Sequence, residues 1–127
     1  MLLIFGVGID IIEVSRIEKQ LARSDGRFQQ RLFTTGEIAY CERKKFKALH
    51  YAARFAAKEA FLKALGTGLS GGLSWKDVEI INDQAGKPAL RLGGKARLLA
   101  EERGLAAFHV SLTHLKDTAA AVVIIEK

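Results

Sequence analysis

Cysteine is almost absent from the sequence, and its scarcity excludes two kinds of structural support. Cys41 is the only cysteine among 127 residues, so neither an internal disulfide nor a cysteine-rich zinc site can form. A single cysteine is typical of a reducing compartment, and we therefore predict that the protein is cytoplasmic.

A long apolar run is missing as well. The segment Leu2 to Ile12 is apolar, but it lacks the basic start of a signal peptide and is interrupted by Asp10. It is also too short to span a bilayer. We interpret it as a buried strand and predict no role for a membrane.

The motifs of several common enzyme classes are incomplete. Residues 6–11 lack the third glycine of a dinucleotide-binding fingerprint, and the loop 66–72 lacks the lysine and hydroxyl residue of a phosphate-binding P-loop. Ser111 lies near His109 and His114, but no nucleophile-elbow motif surrounds it. The sequence therefore supports neither nucleotide fold and no hydrolase triad.

Positive charge is what the sequence has in excess. Twenty Lys and Arg residues against fourteen Asp and Glu residues give a net charge of +6. This balance favours an acidic partner, such as a nucleic acid, an anionic lipid, a phosphorylated ligand or an acidic protein. Because 49% of the residues are apolar and no linker or repeat is present, residues 1–127 are predicted to form a single domain with a modest core.

The first half of the sequence predicts one strand followed by three helices. Residues 2–9 are apolar and branched, as in a core strand, and helical spacing of apolar residues then follows. The predicted helices are Glu13 to Arg23, Thr35 to Lys45, and Ala48 to Leu65 with Gly66 as its stop. The first helix should bury Val14, Ile17 and Leu21 and present a basic ridge of Arg16, Lys19, Gln20 and Arg23.

The second half predicts hairpins. Strands at residues 78–81 and 89–92 flank the turn-forming residues 82–88, and residues 108–113 and 119–125 predict two more strands. A short helix is predicted at residues 95–103. Helices gathered early and hairpins late favour an α+β domain.

Two carboxylates interrupt apolar patterns. Asp10 ends an apolar strand, where a charge is costly unless it is hydrogen-bonded or binds a cation, although with Glu13 it also fits a helix capping box. Glu59 interrupts the apolar stripe of the long helix, although with Lys63 it also fits a surface ion pair worth roughly 0.2–0.5 kcal/mol. The pattern leaves both interpretations open.

A hard cation suits these two carboxylates because no His or Cys cluster accompanies them. Magnesium binds one or two carboxylates, keeps several waters and completes its shell with substrate phosphates. Arg54, Lys58 and Lys63 would supply positive charge near such phosphates, or else form a solvated basic face of the helix.

Two non-enzymatic alternatives remain. A basic nucleic-acid-binding domain fits the net charge, but the aromatic residues are not interleaved with basic ones as stacking platforms. A scaffolding oligomer would leave Asp10 as a cap and Glu59 in a salt bridge. We predict no nucleic-acid partner.

Four segments resemble the holo-acyl carrier protein synthase family, and the resemblance spans nearly the whole chain. The segments are Gly6-Val7-Gly8-Ile9-Asp10-Ile11, the helical stretch Arg54 to Gly68, Asp83-Gln84-Ala85-Gly86-Lys87-Pro88, and His109-Val110-Ser111-Leu112-Thr113-His114. The resemblance implies a 4'-phosphopantetheinyl transferase-like α+β fold, in which an antiparallel β-sheet packs with one long central helix and shorter helices.

The same resemblance implies a set of site residues. Asp10 and Glu59 match the magnesium ligands, and Lys63 matches a lysine beside the coenzyme A pyrophosphate. The residues expected around coenzyme A are Arg54, Lys58, Lys63, Gly66, Thr67, Lys87, Pro88, Ser111, Thr113 and His114. A carrier-docking ridge corresponds to Arg16, Gln20, Arg23 and Arg27, with a less polar residue typical at the Gln20 position.

The implied activity is transfer of the 4'-phosphopantetheine arm of coenzyme A to a serine of apo-acyl carrier protein, within fatty acid biosynthesis. Asp10, Glu59 and Lys63 would be catalytic, with Glu59 accepting the serine proton and Lys63 stabilising the departing adenosine 3',5'-bisphosphate. The family also implies a homotrimer with coenzyme A held between subunits.

Overall fold

The structure, a computed structural model, describes residues 2–127 and contains two antiparallel sheets and one long helix. The elements are β1 Ile4–Glu13, α1 Val14–Arg23, α2 Arg27–Leu32, α3 Thr35–Glu42, α4 Lys47–Leu65, a 3-10 turn Trp75–Asp77, β2 Val78–Asn82, β3 Pro88–Leu92, α5 Gly94–Glu102, β4 Ala107–His114 and β5 Thr118–Glu126. The predicted α+β fold with a long central helix is confirmed.

The larger sheet has the strand order β1-β5-β4, and β2 and β3 form a separate hairpin. One face of the larger sheet packs on α4. Alternate side chains of a strand point to opposite faces, so every second residue of a strand contacts the helix side. The buried residues of β5 follow this period of two: Ala119, Ala121, Val123 and Ile125. The larger sheet therefore covers one side of α4.

Glycines in β1 allow the strand to approach α4 closely. A Cβ atom at Gly8 would overlap the carbonyl oxygen of Ala60, and one at Gly6 would overlap that of Ala64. Alanine dominates the facing side of α4, so backbone meets backbone here. The two glycines have this packing role, which explains a motif that is incomplete as a nucleotide fingerprint.

The opposite face of the larger sheet, which we call the outer face, is apolar and exposed. In β1 it carries Val7, Ile9 and Ile11, which are 56%, 67% and 71% exposed. Val122 and Ile124 of β5 pair with Ile9 and Val7 on the same face. A contiguous exposed apolar surface of this kind marks an interaction site.

The start of α1 decides whether Asp10 is a helix cap. Helix α1 begins at Val14, and its N-cap Glu13 makes no side-chain capping bond, while Asp10 lies inside β1. The interpretation of Asp10 as a helix cap is therefore wrong. The predicted burial of Val14, Ile17 and Leu21 is confirmed, with Leu21 partly buried.

Two elements were not predicted from the sequence, and one predicted helix is shorter. Helix α2 follows the Ser24 to Gly26 turn, and the 3-10 turn precedes β2. Helix α3 ends at Glu42 rather than Lys45, and its N-cap is Thr34, which forms a capping box with Glu37. Within residues 2–127 no helix combines the length and the apolar composition that a membrane crossing requires.

Candidate functional site

Three predicted site residues meet where β1 crosses α4. The ammonium of Lys63 donates to Asp10 Oδ1 at 3.1 Å and to the carbonyl oxygen of Ile9 at 2.9 Å. The Asp10 side chain is 17% exposed, whereas that of Lys63 is 54% exposed. Lys63 therefore pairs with the strand rather than forming the helix-surface pair with Glu59 that the sequence left open.

Glu59 lies one helical turn before Lys63 and shares this environment. Partial burial raises the pKa of the Glu59 carboxyl above its ordinary value, and the negative charge of Asp10 raises it further, while Lys63 lowers it. Two carboxylates that oppose each other's ionisation favour a cation between or beside them.

An open cleft of about 500 Å³ adjoins the Glu59 carboxylate. Helix α4 ends there because Gly66 adopts the left-handed conformation (φ 85°), and the chain turns away through a glycine-rich loop. The cleft is lined by Glu59, Leu62, Lys63, Gly66, Gly68, Leu69 and Trp75. A phosphorylated ligand in this cleft would lie beside an exposed ammonium and a carboxylate.

The donor set at the cleft fits a magnesium ion. Asp10 and Glu59 offer hard oxygen ligands, the type that magnesium prefers. No group of three or more His, Cys, Asp or Glu side chains is placed to form a complete protein cage within residues 2–127. Two carboxylates with remaining positions for water and phosphate match the way magnesium is bound.

Lys58 does not line the cleft, and its predicted contact with coenzyme A stays a prediction. Its side chain is 1% exposed, and its ammonium lies 2.7 Å from Glu37 Oε1. Burial lowers the pKa of Lys58, and the charge of Glu37 opposes that effect. The adjacent residues Lys58 and Glu59 therefore lie on different sides of α4.

Arg54 is also buried and lies away from the cleft. It is 2% exposed, its guanidinium carbon lies 3.8 Å from the centre of the Tyr40 ring, and Nη2 donates to Asn82 Oδ1 at 2.6 Å. Its Nε is buried without a hydrogen-bond partner. Of the three cations predicted beside Glu59, the structure places only Lys63 there.

Several other predicted coenzyme residues form a second group around Arg54. Asn82, the partner of Arg54, pairs across the hairpin with Pro88, and the exposed Lys87 precedes it. Burial lowers the pKa of His50, and the positive charges of Lys44, Arg54 and then His114, at the end of β4, lower it further.

The remaining predicted residues lie outside both groups. Ser111 and Thr113 are exposed and share the side of β4 that continues the outer face. Thr67 is partly exposed and donates within its loop to the carbonyl oxygen of Gly68 at 3.0 Å. The residues predicted around coenzyme A are thus spread over separate surfaces of one chain.

The predicted basic ridge borders a groove of about 310 Å³, which we call the basic groove. Arg16, Gln20 and Arg23 line it, whereas Arg27 begins α2 and donates to the carbonyl oxygen of Ser24. The other lining residues are Ile12, Ile17, Lys19, Phe28, Arg31, Leu32, Phe55 and Trp75. An apolar floor with a rim of arginines suits an amphipathic acidic surface.

Sequence reasoning missed two residues near the site, Glu37 and Trp75. Glu37 is 1% exposed and binds Lys58, and it accepts from the backbone amides of Thr34 and Ile80. Trp75 lines both the cleft and the basic groove. The capping-box spacing from Thr34 could have identified Glu37, and the single tryptophan beside the glycine-rich loop was the available signal for Trp75.

Residues 6–123 match the model of the 4'-phosphopantetheinyl transferase superfamily. A holo-[acyl-carrier-protein] synthase of Geobacter sp. (strain M21) is 51% identical over 125 residues, which cover 98% of this chain and all of that protein. The crystal structure of the synthase from Neisseria meningitidis has a TM-score of 0.92 at 34% identity, covering 98% of this chain and 100% of the other.

A second solved structure is similar and carries a ligand. The Bacillus anthracis synthase in complex with coenzyme A (3',5'-ADP) has a TM-score of 0.81 at 38% identity and covers 98% of this chain and 97% of its own. These matches extend over nearly the whole length on both sides and confirm the resemblance predicted from the four sequence segments. The chain belongs to the holo-acyl carrier protein synthases of the 4'-phosphopantetheinyl transferase superfamily.

Proposed function

We propose that this protein transfers 4'-phosphopantetheine from coenzyme A to a serine of apo-acyl carrier protein. The observation that carries the proposal is the meeting of Asp10, Glu59 and Lys63 at the mouth of the cleft. The family membership and the coenzyme-bound relative support the same reaction. The products are holo-carrier protein and adenosine 3',5'-bisphosphate.

Magnesium is the proposed cofactor, held by Asp10 and Glu59. When bound, it would neutralise charge on the pyrophosphate of coenzyme A. The two carboxylates would hold the ion from β1 and α4, and the exposed ammonium of Lys63 would add a second positive charge for a phosphate.

The chain's own residues would then direct a phosphoryl transfer. The serine oxygen forms a bond to the phosphorus that bears pantetheine, and the bond from that phosphorus to the bridging oxygen breaks. Glu59 is the residue proposed to accept the serine proton. Lys63 stabilises the negative charge on the departing bisphosphate or donates a proton to it.

The carrier protein is proposed to dock along α1. Arg16 and Arg23 give the basic groove its charge, and Gln20 and Arg27 extend the contact along and beyond the ridge. Opposite potentials speed encounter and fix orientation. Since Trp75 borders both the basic groove and the cleft, a carrier docked in the groove can present its serine to the cleft.

A homotrimer is the proposed assembly, with the outer face as the contact between copies. Val7, Ile9 and Ile11 expose apolar area that a neighbouring copy would bury. Ser111 and Thr113 continue that face, so assembly would bring β4 of one copy towards another. Residues of the second group, such as Pro88 and His114, could then complete the cleft of a neighbour, which explains their separation from Glu59 within one chain.

The proposed setting is fatty acid biosynthesis in the cytoplasm. The free, buried Cys41, the single cysteine of the sequence, is compatible with the reducing compartment that we propose. The pathway is supported only by the acyl carrier protein that appears in the relatives' names.

The experiment that tests the proposed function is the intact mass of apo-acyl carrier protein after incubation with this protein, coenzyme A and magnesium. We expect a gain equal to the mass of one phosphopantetheine, and no gain when the metal is chelated. A carrier whose acceptor serine is replaced by alanine is the matched control. An unchanged mass with several apo-carriers, although the protein is folded and binds magnesium, would contradict the proposal.

A further inference from the structure

The buried ion pair of Lys58 and Glu37 ties three elements together. Their side chains are 1% and 0% exposed, and the ammonium lies 2.7 Å from Glu37 Oε1. Glu37 also accepts from the backbone amides of Thr34 (2.9 Å) and Ile80 (2.9 Å), so both carboxylate oxygens are used. The pair thereby fixes α3 and β2 against α4.

Lys58 makes one further bond, and that bond leads to the candidate site. Its ammonium donates to the carbonyl oxygen of Trp75 at 3.0 Å. Trp75 is the first residue of the 3-10 turn that follows the glycine-rich loop, four of whose glycines, Gly66, Gly68, Gly71 and Gly72, have positive φ. Lys58 therefore anchors the end of a permissive loop to the rigid helix that carries Glu59.

Trp75, the residue that Lys58 anchors, lies between the cleft and the basic groove. The Trp75 indole packs against the Phe55 ring, one turn before Glu59 on α4, with ring centres 5.3 Å apart. Trp75 lines the cleft together with Glu59 and Lys63, and it lines the basic groove together with Arg16 and Phe55. A displacement of its backbone would alter both surfaces at once.

We propose that Lys58 is a positioning residue: by holding the Trp75 carbonyl, it fixes the indole as the common wall between the cleft and the basic groove, and so aligns a docked acceptor with Glu59. The inference deepens the proposed function and rests on it for the identity of the acceptor. In this role Lys58 acts through Trp75 and does not itself contact the reacting atoms.

Stability alone is a weak explanation for this ion pair. Replacing a buried ion pair by neutral side chains is often neutral or stabilising, whereas removing one partner leaves an unpaired buried charge and is strongly destabilising. This difference allows the positioning role to be separated from a role in folding, because the pair can be neutralised on both sides while the bond to Trp75 is still lost.

The test compares three variants with the wild-type protein. Lys58→Met removes the donor and leaves Glu37 unpaired, whereas the double variant Glu37→Gln/Lys58→Met removes the donor and the unpaired charge together. Val123→Ala, at a buried position of β5 away from Trp75, is the matched control for lost stability. Thermal unfolding, steady-state kinetics per folded molecule and the emission of Trp75, the only tryptophan, are measured for each.

The double variant decides the outcome. We expect its thermal midpoint to recover in part relative to Lys58→Met, because the unpaired charge is removed although a glutamine oxygen can accept from only one of the two backbone amides that Glu37 binds. The value of kcat/KM for the carrier should stay about tenfold to a hundredfold below wild type, because small misplacements of a reacting group have costs of this size. Trp75 emission should shift to longer wavelength and be quenched more readily by acrylamide in both Lys58 variants. Val123→Ala should lower the midpoint but leave kcat/KM and emission unchanged.

Wild-type kcat/KM and emission in the double variant would overturn the positioning role. The emission measurement does not depend on catalysis, so the two proposals fail separately. If the wild-type protein transfers no phosphopantetheine, the proposed function is wrong, and the emission and quenching of the variants still decide whether Lys58 fixes Trp75.

Discussion

At the scale of single residues, neighbours in sequence have opposite roles. Lys58 and Glu59 both interrupt the apolar pattern of α4, and the sequence placed both near a phosphate. The structure buries Lys58 against Glu37 and leaves Glu59 in the cleft. A helix that is covered on most sides has no single polar face, so periodicity could not separate the two residues.

Glu59→Gln should lower phosphopantetheine transfer roughly 100-fold or more, a typical loss when a general base is removed. Asp10→Asn should act in the same direction by weakening the magnesium site and should raise the magnesium concentration needed for half-maximal rate. Transfer by intact mass and magnesium titration measure both effects. Glu101→Gln, on the exposed surface of α5, is the control. Full turnover of Glu59→Gln at saturating magnesium would rule out its role as base.

The buried thiol of Cys41 predicts a loss of stability in alkali. Burial raises its pKa from 9.0 to about 12, with Glu37 and Glu42 adding to the effect and Arg54 and Lys44 opposing it. The thiol of the unfolded chain ionises from about pH 9 upward while the folded thiol stays protonated. The free energy of unfolding should therefore fall by about 1.4 kcal/mol per pH unit between these two pKa values.

Urea unfolding at pH 8 and pH 10.5 measures this loss, with Cys41→Ala as the comparison. The alanine variant lacks the titrating group and should lose less stability over the same interval, while the contribution of Tyr51, whose pKa burial also raises, is common to both proteins. An equal loss in the two proteins would show that the thiol does not control the alkaline limit.

At the scale of elements, the strands and the longest helix were predictable, and the connections were not. The hairpin of β2 and β3 and the paired strands β4 and β5 follow from alternating apolar residues between turn signals. Helix α2 has six residues, fewer than two turns, and so gives no clear period. The 3-10 turn at Trp75 is shorter still, which is why a residue that borders the candidate site was overlooked.

The close contact of β1 with α4 predicts that Gly8→Ala is destabilising. Its added methyl group would overlap the Ala60 carbonyl, and we expect a loss of about 1–3 kcal/mol in the free energy of unfolding, typical of overpacking. Gly93→Ala is the control, since its backbone is extended and no atom lies within 4 Å of the added Cβ. Equal stability of the two variants in urea would argue against the packing described for β1.

The basic ridge of α1 predicts salt-sensitive docking. Arg16→Glu/Arg23→Glu should raise KM for the carrier at least tenfold and reduce its dependence on salt, with little change in KM for coenzyme A. Lys95→Glu/Arg97→Glu, at two exposed cations of α5, is the control for an equal change in net charge. Carrier KM measured at low and at physiological ionic strength, where the screening length is about 8 Å, distinguishes them. A wild-type KM for the carrier that does not change with ionic strength would contradict electrostatic docking.

At the scale of the whole molecule, the outer face is the surface through which we propose that copies of the chain meet. The sequence indicated the full set of coenzyme contacts only through resemblance, and the single chain places Glu59 and Lys63 apart from Ser111 and Thr113. No pattern within one sequence reports which surfaces of different copies meet. That part of the site could not be predicted from residue spacing.

Assembly is expected to fail when the outer face is charged. Val7→Lys should convert a particle of three times 13.9 kDa into a smaller species and lower transfer, because the charge would have to be buried at the contact. Leu98→Lys, similarly exposed on α5, should change neither property. Light scattering after size exclusion gives the mass, and a wild-type protein that is monomeric while active would refute the trimer.

The glycines of β1 also fix the register that places Asp10 in the candidate site. Gly6, Gly8 and Asp10 follow at intervals of two and share one face of the strand, and the first two tolerate no side chain against Ala64 and Ala60. A slip of one residue would turn Val7 and Ile9 onto α4 and carry Asp10 to the opposite face. The register in which β1 can pack closely on α4 is thus the register that brings Asp10 to Lys63. The packing of the strand on the helix therefore also places this carboxylate in the site.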